Sequence, residues 1–209
     1  MINTIKKTAA VICAAVLVLT LCSCAKPDYT IGGATVKYNE GDYKTALEMF
    51  EVLAKEGDGV AACYAGNMYY KGEGAEIDTE KAKEYFEISA KADNTDGIYN
   101  LGVYYDDIKN FKTAKEYYQR AAYRGHAMAT NNLGIMYEKG LGVNVDYKRA
   151  ADYYKVAAAK GVESSMMHIA ALYEQGKGVE QDVNLAKDYY KMAADAGNQD
   201  AVKKLEELK

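Results

Sequence analysis

The spacing of small residues is the feature that most constrains how this chain folds. Each of five blocks contains a small residue and, 12 or 16 positions later, an alanine that always lies 20 positions before the next block's small residue. The pairs are Ala34 and Ala46, Gly66 and Ala82, Gly102 and Ala114, Gly134 and Ala150, and Ala170 and Ala186. Units of 32 or 36 residues are typical of solenoids, in which each repeat buries its apolar face on its neighbours.

The second half of every block has the pattern of an amphipathic helix. A short polar residue four positions before the alanine can accept the first free backbone N–H groups of that helix. These predicted N-caps are Asp42, Asp78, Asn110, Asp146 and Asp182. Bulky residues follow three and four positions after the alanine, which places them on one helix face. The predicted helix ends are Gly57, Gly125, Gly161 and Gly197, with Asp93 in the second block.

Blocks two, four and five contain a Gly-x-Gly loop, which raises the question of phosphate binding. A dinucleotide loop needs a preceding strand and a third glycine, whereas a helix precedes this loop and Val145 stands at the third position in block four. The loops also lack the alternating carboxylates of a calcium cage. Since blocks one and three omit the loop, we interpret it as a turn between helices.

Composition and motifs exclude several classes of function. The formal net charge of −4 gives no attraction to nucleic acid. His126 and His168 have no further ligands at metal-binding spacing, so we interpret both as surface or packing residues and expect no metal and no cofactor. Cys63, within an alanine-rich helix, is interpreted as a packing residue. The chain has no Gly-x-Ser-x-Gly or His-Glu-x-x-His motif, and we predict no catalytic residue.

The N-terminal segment differs from the repeats. A short basic start and an apolar run from Ala9 to Leu21 indicate a signal peptide over residues 1–23, too short to span a bilayer comfortably. Its end, Leu21-Cys22-Ser23-Cys24, resembles a bacterial lipobox, which implies that Cys24 carries lipid and anchors the chain outside the cytoplasm. The alternative is a soluble secreted protein, but no Ala-x-Ala cleavage site is present.

The stretch "NNLGIMYEKGLGVNVDYKRAADYYKVAAAKG", residues 131–161, resembles a Sel-one-like repeat in its Leu-Gly, Gly-x-Gly-Val, aromatic pair and closing glycine. Blocks one and three are similar to the related tetratricopeptide repeat. The resemblance implies an all-α fold, a right-handed α-solenoid of about five helix-turn-helix repeats over residues 29–197. Residues 24–28 would form a short tether, and residues 198–209 a C-terminal capping helix.

In such arrays the first helices line the concave side, so the resemblance implies that partners bind there. The candidate residues share one face of the first helices: Asn67, Tyr70, Tyr99, Asp106, Asn131, Glu138 and Glu174. Amide, aromatic and acidic groups suit an unidentified protein or peptide segment. We therefore favour a membrane-tethered interaction scaffold.

The rival hypothesis is an envelope enzyme or small-ligand binder. Cysteine-rich relatives are credited with interacting with β-lactams, but they carry a pair of cysteines in each repeat. This chain has no such pairs.

Overall fold

The computed structural model describes residues 29–208. Residues 1–28, with the expected signal peptide, Cys24 and the tether, lie outside this range. Within it the secondary structure consists of eleven helices without strands. They are α1 (Ile31–Asn39), α2 (Tyr43–Lys55), α3 (Gly59–Lys71), α4 (Thr79–Lys91), α5 (Thr95–Asp107), α6 (Phe111–Tyr123), α7 (Ala127–Lys139), α8 (Tyr147–Ala159), α9 (Glu163–Gln175), α10 (Val183–Asp195) and α11 (Gln199–Glu207).

The helices pack consecutively as hairpins, α1 with α2 through α9 with α10, and α11 packs on α10. This arrangement is an α-solenoid, as the repeat period predicts. We call α1, α3, α5, α7 and α9 the first helices, and α2, α4, α6, α8 and α10 the second helices. The predicted fold class is confirmed.

Each second helix begins where the sequence predicts. The side chains of Asp42, Asp78, Asn110, Asp146 and Asp182 all accept a backbone N–H from the first turn. At the other end, Gly57 and its equivalents adopt positive φ, and Asp93 does so with φ of 61°. Local sequence therefore fixes both ends of these helices.

The core lies between the two helices of each hairpin and between neighbouring hairpins. The alanines of the repeat pattern, Ala46, Ala82, Ala114, Ala150 and Ala186, have no exposed surface. The second aromatic of each pair is also buried, and these residues are Phe50, Phe86, Tyr118, Tyr154 and Tyr190. In the three middle hairpins this ring packs directly on the glycine of the first helix, where a Cβ atom would clash with it. The small residues thus leave room for large rings where the two helices of a hairpin pack closely.

The Gly-x-Gly loops join one hairpin to the preceding one. A Cβ atom on Gly142 would lie 2.8 Å from the Cβ atom of Phe111, the first residue of α6. Gly74 and Gly178 approach the backbone at Tyr43 and Tyr147 in the same way. The loop is a joint between repeats, in agreement with its interpretation as a turn.

Candidate functional site

Three of the predicted site residues are carboxylates that bond tyrosines inside their own hairpins. Asp106, Glu138 and Glu174 accept hydrogen bonds from Tyr118, Tyr154 and Tyr190, with oxygen–oxygen distances of 3.4, 2.5 and 2.7 Å. Each acid lies on a first helix and each tyrosine on the second helix of the same hairpin. These carboxylates satisfy buried hydroxyl groups, so much of their hydrogen-bonding capacity is used within the fold.

The electrostatics of these acids differ. A hydrogen bond from His168, whose Nδ1 lies 3.2 Å from Glu138 Oε2, is the main reason that the pKa of Glu138 is lowered; the bond from Tyr154 also contributes. His168 stacks on the Tyr154 ring, with 4.7 Å between centroids. Burial instead raises the pKa of Asp106. His168 is therefore part of a packed cluster, in agreement with its interpretation as a packing residue.

Tyr70, another predicted site residue, occupies the same helix position as these acids in a hairpin whose buried aromatic is Phe86. The two ring centroids are 6.5 Å apart, and Phe86 has no hydroxyl to satisfy. In the first hairpin, likewise, Tyr38 stands at the position of the acid and the buried aromatic is Phe50. The hydroxyl of Tyr70 donates to Asp107 in the next first helix, so Tyr70 links two repeats.

Asn131 is only 2% exposed. Its Oδ1 atom accepts a hydrogen bond from Ser165 Oγ at 2.7 Å, and Ser164 Oγ lies 3.3 Å away. Both serines belong to α9, the next first helix. Asn131 therefore joins two repeats and presents almost no accessible surface to a partner.

The other two predicted residues, Asn67 and Tyr99, lie in one groove of about 500 Å³ on the first-helix side. The groove crosses three repeats, and we call it the first-helix groove. Its lining residues are Val60, Cys63, Tyr64, Asn67, Asn94, Asp96, Tyr99, Asn100, His126 and Met128.

An amide cluster forms part of this groove. Asn100 Nδ2 donates to Asn67 Oδ1 at 3.0 Å and to Cys63 Sγ at 3.4 Å. Burial raises the pKa of the Cys63 thiol to about 11, so this cysteine stays protonated and unreactive at neutral pH. The side-chain oxygen of Asn100 accepts no hydrogen bond within residues 29–208.

An aromatic and acidic cluster lies beside the amides. The His126 ring stacks on Tyr99 at 4.2 Å between centroids, and its Nδ1 caps α7 by accepting the Ala129 N–H at 3.2 Å. The Nε2 atom lies 3.4 Å from Asp96 Oδ1. Burial lowers the pKa of His126, so the imidazole is neutral near pH 7 and its Nε2–H faces Asp96. The neutral imidazole therefore places no positive charge beside the Asp96 carboxyl group.

Two exposed side chains of the groove are hydrophobic. Val60 is 45% exposed and Met128 is 42% exposed, although both are hydrophobic. Both are the second residue of a first helix, a position that the sequence analysis did not select. Tyr64 and Asn100 were not predicted either, because each lies one residue after a position of the predicted face. Helical spacing shows which residues share one face of a helix. It does not show which faces the superhelix leaves open as a groove.

A larger cleft of about 750 Å³ opens at the Gly-x-Gly loop of the fourth hairpin. Arg149 lies in it but is already held, with Nε 3.2 Å from Asp146 Oδ2 and its guanidinium over the Tyr137 ring. Asp146 itself caps α8. Arg149 and Asp146 therefore serve the joint between α7 and α8.

Over the described part of the chain, no cluster of three or more His, Cys, Asp or Glu side chains could hold a metal ion. None of the helices in residues 29–208 combines the length and apolar character needed to cross a bilayer.

The stacked hairpins and the open groove define a helical-repeat protein of the solenoid class. The profile of the Sel1 repeat matches residues 59–94, 95–126, 127–162 and 164–198, and the chain belongs to this family. The match begins at α3, so the first hairpin lies outside it. The third block, which was expected to be similar to a tetratricopeptide repeat, is matched as a Sel1 repeat over residues 95–126. Sel1 repeats typically form scaffolds for protein interaction and are generally non-catalytic.

Solved structures agree with this assignment. A Sel1 repeat protein from Oxalobacter formigenes is 29% identical, with a TM-score of 0.78, over 87% of this chain and 80% of that one. A protective antigen with an SLR fold from uropathogenic Escherichia coli is 28% identical, with a TM-score of 0.74, over 83% of this chain. The chain spans only 40% of that antigen.

An immunity protein from Pseudomonas aeruginosa shares the fold at 22% identity, over 85% of this chain and 70% of that one, with a TM-score of 0.57. Among curated proteins, none matches this chain significantly.

Proposed function

We propose that this protein is an interaction scaffold that binds a protein or peptide segment in the first-helix groove, on the concave side of the array. The observation that carries the proposal is the exposure of Val60 and Met128 beside Tyr99 and the Asn67–Asn100 amide pair. Apolar contacts would supply binding energy, and the amides would meet backbone groups of the ligand. Exposed apolar side chains in a groove often mark a binding surface.

This proposal changes the set of residues that we expect to contact a partner. Asn67 and Tyr99 remain in it. Asp106, Glu138 and Glu174 would act mainly by holding the hairpins in shape, since they already bond Tyr118, Tyr154 and Tyr190. Tyr70 would flank the groove.

The test compares two double variants of the full chain in pull-downs from detergent-solubilised membranes. Val60→Glu with Met128→Glu places charge in the groove. The matched control, Val156→Glu with Met192→Glu, changes a valine 51% exposed and a methionine 44% exposed on second helices. We expect the groove variant to lose its partner and the control to retain it, with equal thermal stability. Equal capture by both variants would contradict the proposal.

We further propose that the scaffold is held at an extracytoplasmic membrane surface by lipid on Cys24. The support is the sequence Leu21-Cys22-Ser23-Cys24 after a short apolar run. Two or more acyl chains give stable anchoring, whereas one gives reversible binding. Metabolic labelling with a radioactive fatty acid tests this: Cys24→Ser is expected to leave unlabelled precursor, and normal processing of that variant would overturn the lipid anchor.

A further inference from the structure

The second hairpin contains a carboxylate site that the chain fills with one of its own side chains. Glu51 of α2 accepts hydrogen bonds from the hydroxyl groups of Tyr69 and Tyr85, with oxygen–oxygen distances of 2.6 and 3.0 Å. Its Oε1 atom also lies 3.3 Å from Lys81 Nζ. Burial opposes the ionisation of Glu51, but the hydrogen bonds from these three residues outweigh it and lower the pKa of the acid. Two phenol hydroxyl groups and one cation therefore form a set of donors that stabilises a carboxylate ion.

The fourth hairpin presents the same donors at the equivalent positions. The stacked rings of Tyr69 and Tyr85 have centroids 5.7 Å apart and planes 4° apart. The rings of Tyr137 and Tyr153 repeat this pair, with corresponding values of 5.6 Å and 12°. Arg149 stands at the position of the lysine and places its guanidinium 5.4 Å from the centroid of the Tyr137 ring. The arrangement of two tyrosines and a cation thus recurs in the fourth hairpin.

The acid of the second hairpin does not recur in the fourth. Gln119 of α6 occupies the repeat position that Glu51 has in α2. In the described part of the chain, the hydroxyl groups of Tyr137 and Tyr153 donate to no other group, and that of Tyr137 only accepts a bond from Arg149 Nη1 at 3.4 Å. Because Tyr137 is only 7% exposed, an acceptor for its hydroxyl group has to come through the cleft that this residue lines.

The cleft at these donors has room for a ligand. Its volume is about 470 Å³, and it is lined by Gln119, Tyr137, Arg149, Asp152, Tyr153 and Val156. This volume falls within the roughly 300–1,000 Å³ that is usual for small-molecule sites. The cleft adjoins the larger one at the Gly-x-Gly loop, since Tyr137 and Arg149 line both. A small ligand in it therefore meets the tyrosine hydroxyl groups and the guanidinium together.

The charges of the fourth hairpin suit an anion at least as well as those of the second. The two acids that line the clefts, Asp146 and Asp152, occupy the repeat positions of Asp78 and Glu84. The acids at those positions in the second hairpin do not prevent the lowered pKa of its bound carboxylate. Lys115 lines the adjoining cleft as an additional cation, and the equivalent residue of α2 is an uncharged leucine.

We propose that this cleft of the fourth hairpin binds the carboxylate group of a small organic acid, in the place that the Glu51 carboxylate has in the second hairpin. Tyr137 and Tyr153 donate their hydroxyl groups to the carboxylate. Arg149, whose guanidinium has several N–H groups, supplies the positive charge. Glu51 carries its carboxylate on a short aliphatic stem, so an acid with a short aliphatic chain is the best match. The site lies outside the first-helix groove and does not depend on the function proposed for that groove.

Isothermal titration calorimetry of the full chain in detergent micelles tests the proposal with glutarate and with glutaramide, its uncharged diamide. We expect saturable binding of glutarate, at least about ten-fold tighter than that of glutaramide. Absence of glutarate binding, or equal affinity for the two compounds, would overturn the proposal. A third ligand, the terminally blocked peptide Ala-Ala-Glu-Ala-Ala, carries the same group on a polypeptide. Tighter binding of this peptide than of glutarate would overturn the assignment to a small acid.

Protein variants test the equivalence of the two hairpins. Gln119→Glu places an acid at the repeat position of Glu51, so the chain's own carboxylate should occupy the site and weaken glutarate binding at least about ten-fold. Gln199→Glu adds the same charge at an exposed position of α11 and should leave glutarate binding unchanged. Tyr137→Phe with Tyr153→Phe keeps both rings but removes the two donors, and is also expected to weaken binding. Glutarate affinity that is the same in Gln119→Glu as in the unaltered protein would contradict the proposal.

Discussion

Tyr154 donates a hydrogen bond to Glu138, with 2.5 Å between the two oxygens, and so connects the two helices of the fourth hairpin. The tyrosine is buried at 0% exposure, and the carboxylate comes from the face that the sequence analysis selected for partner binding. Three hairpins contain this bond, so the acids of that face belong in part to the internal structure of the repeat.

Removal of the Tyr154 hydroxyl should therefore destabilise the fold. Tyr154→Phe leaves the ring in place but deprives half-buried Glu138 of one donor, at about 1–2 kcal/mol of unfolding free energy. Urea unfolding followed by circular dichroism measures this, with Tyr123→Phe as the control because Tyr123 is 92% exposed. Equal midpoints for the two variants would show that the bond contributes nothing.

The pH dependence of stability should carry the signature of the same pair. Because the His168 hydrogen bond holds the pKa of Glu138 below its ordinary value of 4.5, the charged form favours the folded state. This contribution is present above the ordinary pKa and is lost as the pH falls through the lowered pKa. Glu138→Gln should therefore reduce the loss of stability on acidification from about pH 6 to about pH 3.

Asp106 provides the opposite sign for comparison. Burial raises its pKa above the ordinary value of 3.8, so its protonation on acidification favours the folded state. Asp106→Asn should therefore increase the loss of stability over the same range, measured by urea midpoints at each pH. If the stability of the two variants changed with pH in the same way, the pKa values of Glu138 and Asp106 would not be shifted in opposite directions.

A glycine of a Gly-x-Gly loop and a glycine that ends a helix should differ in their tolerance of substitution by alanine. Gly142 and Gly161 both have positive φ, 65° and 84°, so each substitution strains the backbone. At Gly142 the new Cβ atom would also meet Phe111, whereas at Gly161 no atom lies within 4 Å. We expect thermal unfolding to show about 1 kcal/mol of destabilisation for Gly161→Ala and clearly more for Gly142→Ala. A reversed order would contradict the role of the loop as a joint.

The fold could be predicted from the sequence because the features that determine it are local and repeated. Caps such as Asp146 and Asp182 depend on the next three residues only, and the small-residue period directly encodes the stacking of hairpins. One signal in the sequence was missed. Where the buried aromatic is tyrosine, the paired first-helix position is acidic, and where it is phenylalanine, that position is tyrosine. This pairing already indicates an internal bond.

The groove could be predicted only in part. Asn67 and Tyr99 were found from helical spacing, but Val60, Asp96 and Met128 lie one turn earlier, at the start of their helices. Their alignment depends on how successive repeats rotate, which is a property of packing across hairpins and not of any one helix. Burial of Asn131 by serines from the next repeat has the same origin.

The central claim is that the first-helix groove is the surface that meets a partner, and site-specific photocross-linking in living cells tests it most directly. A benzophenone amino acid is introduced at Met128 in the groove or at Val156 on second helix α8, both exposed and hydrophobic. The account predicts a discrete cross-linked product from position 128 and none from position 156. Cross-linking from position 156 alone would contradict it.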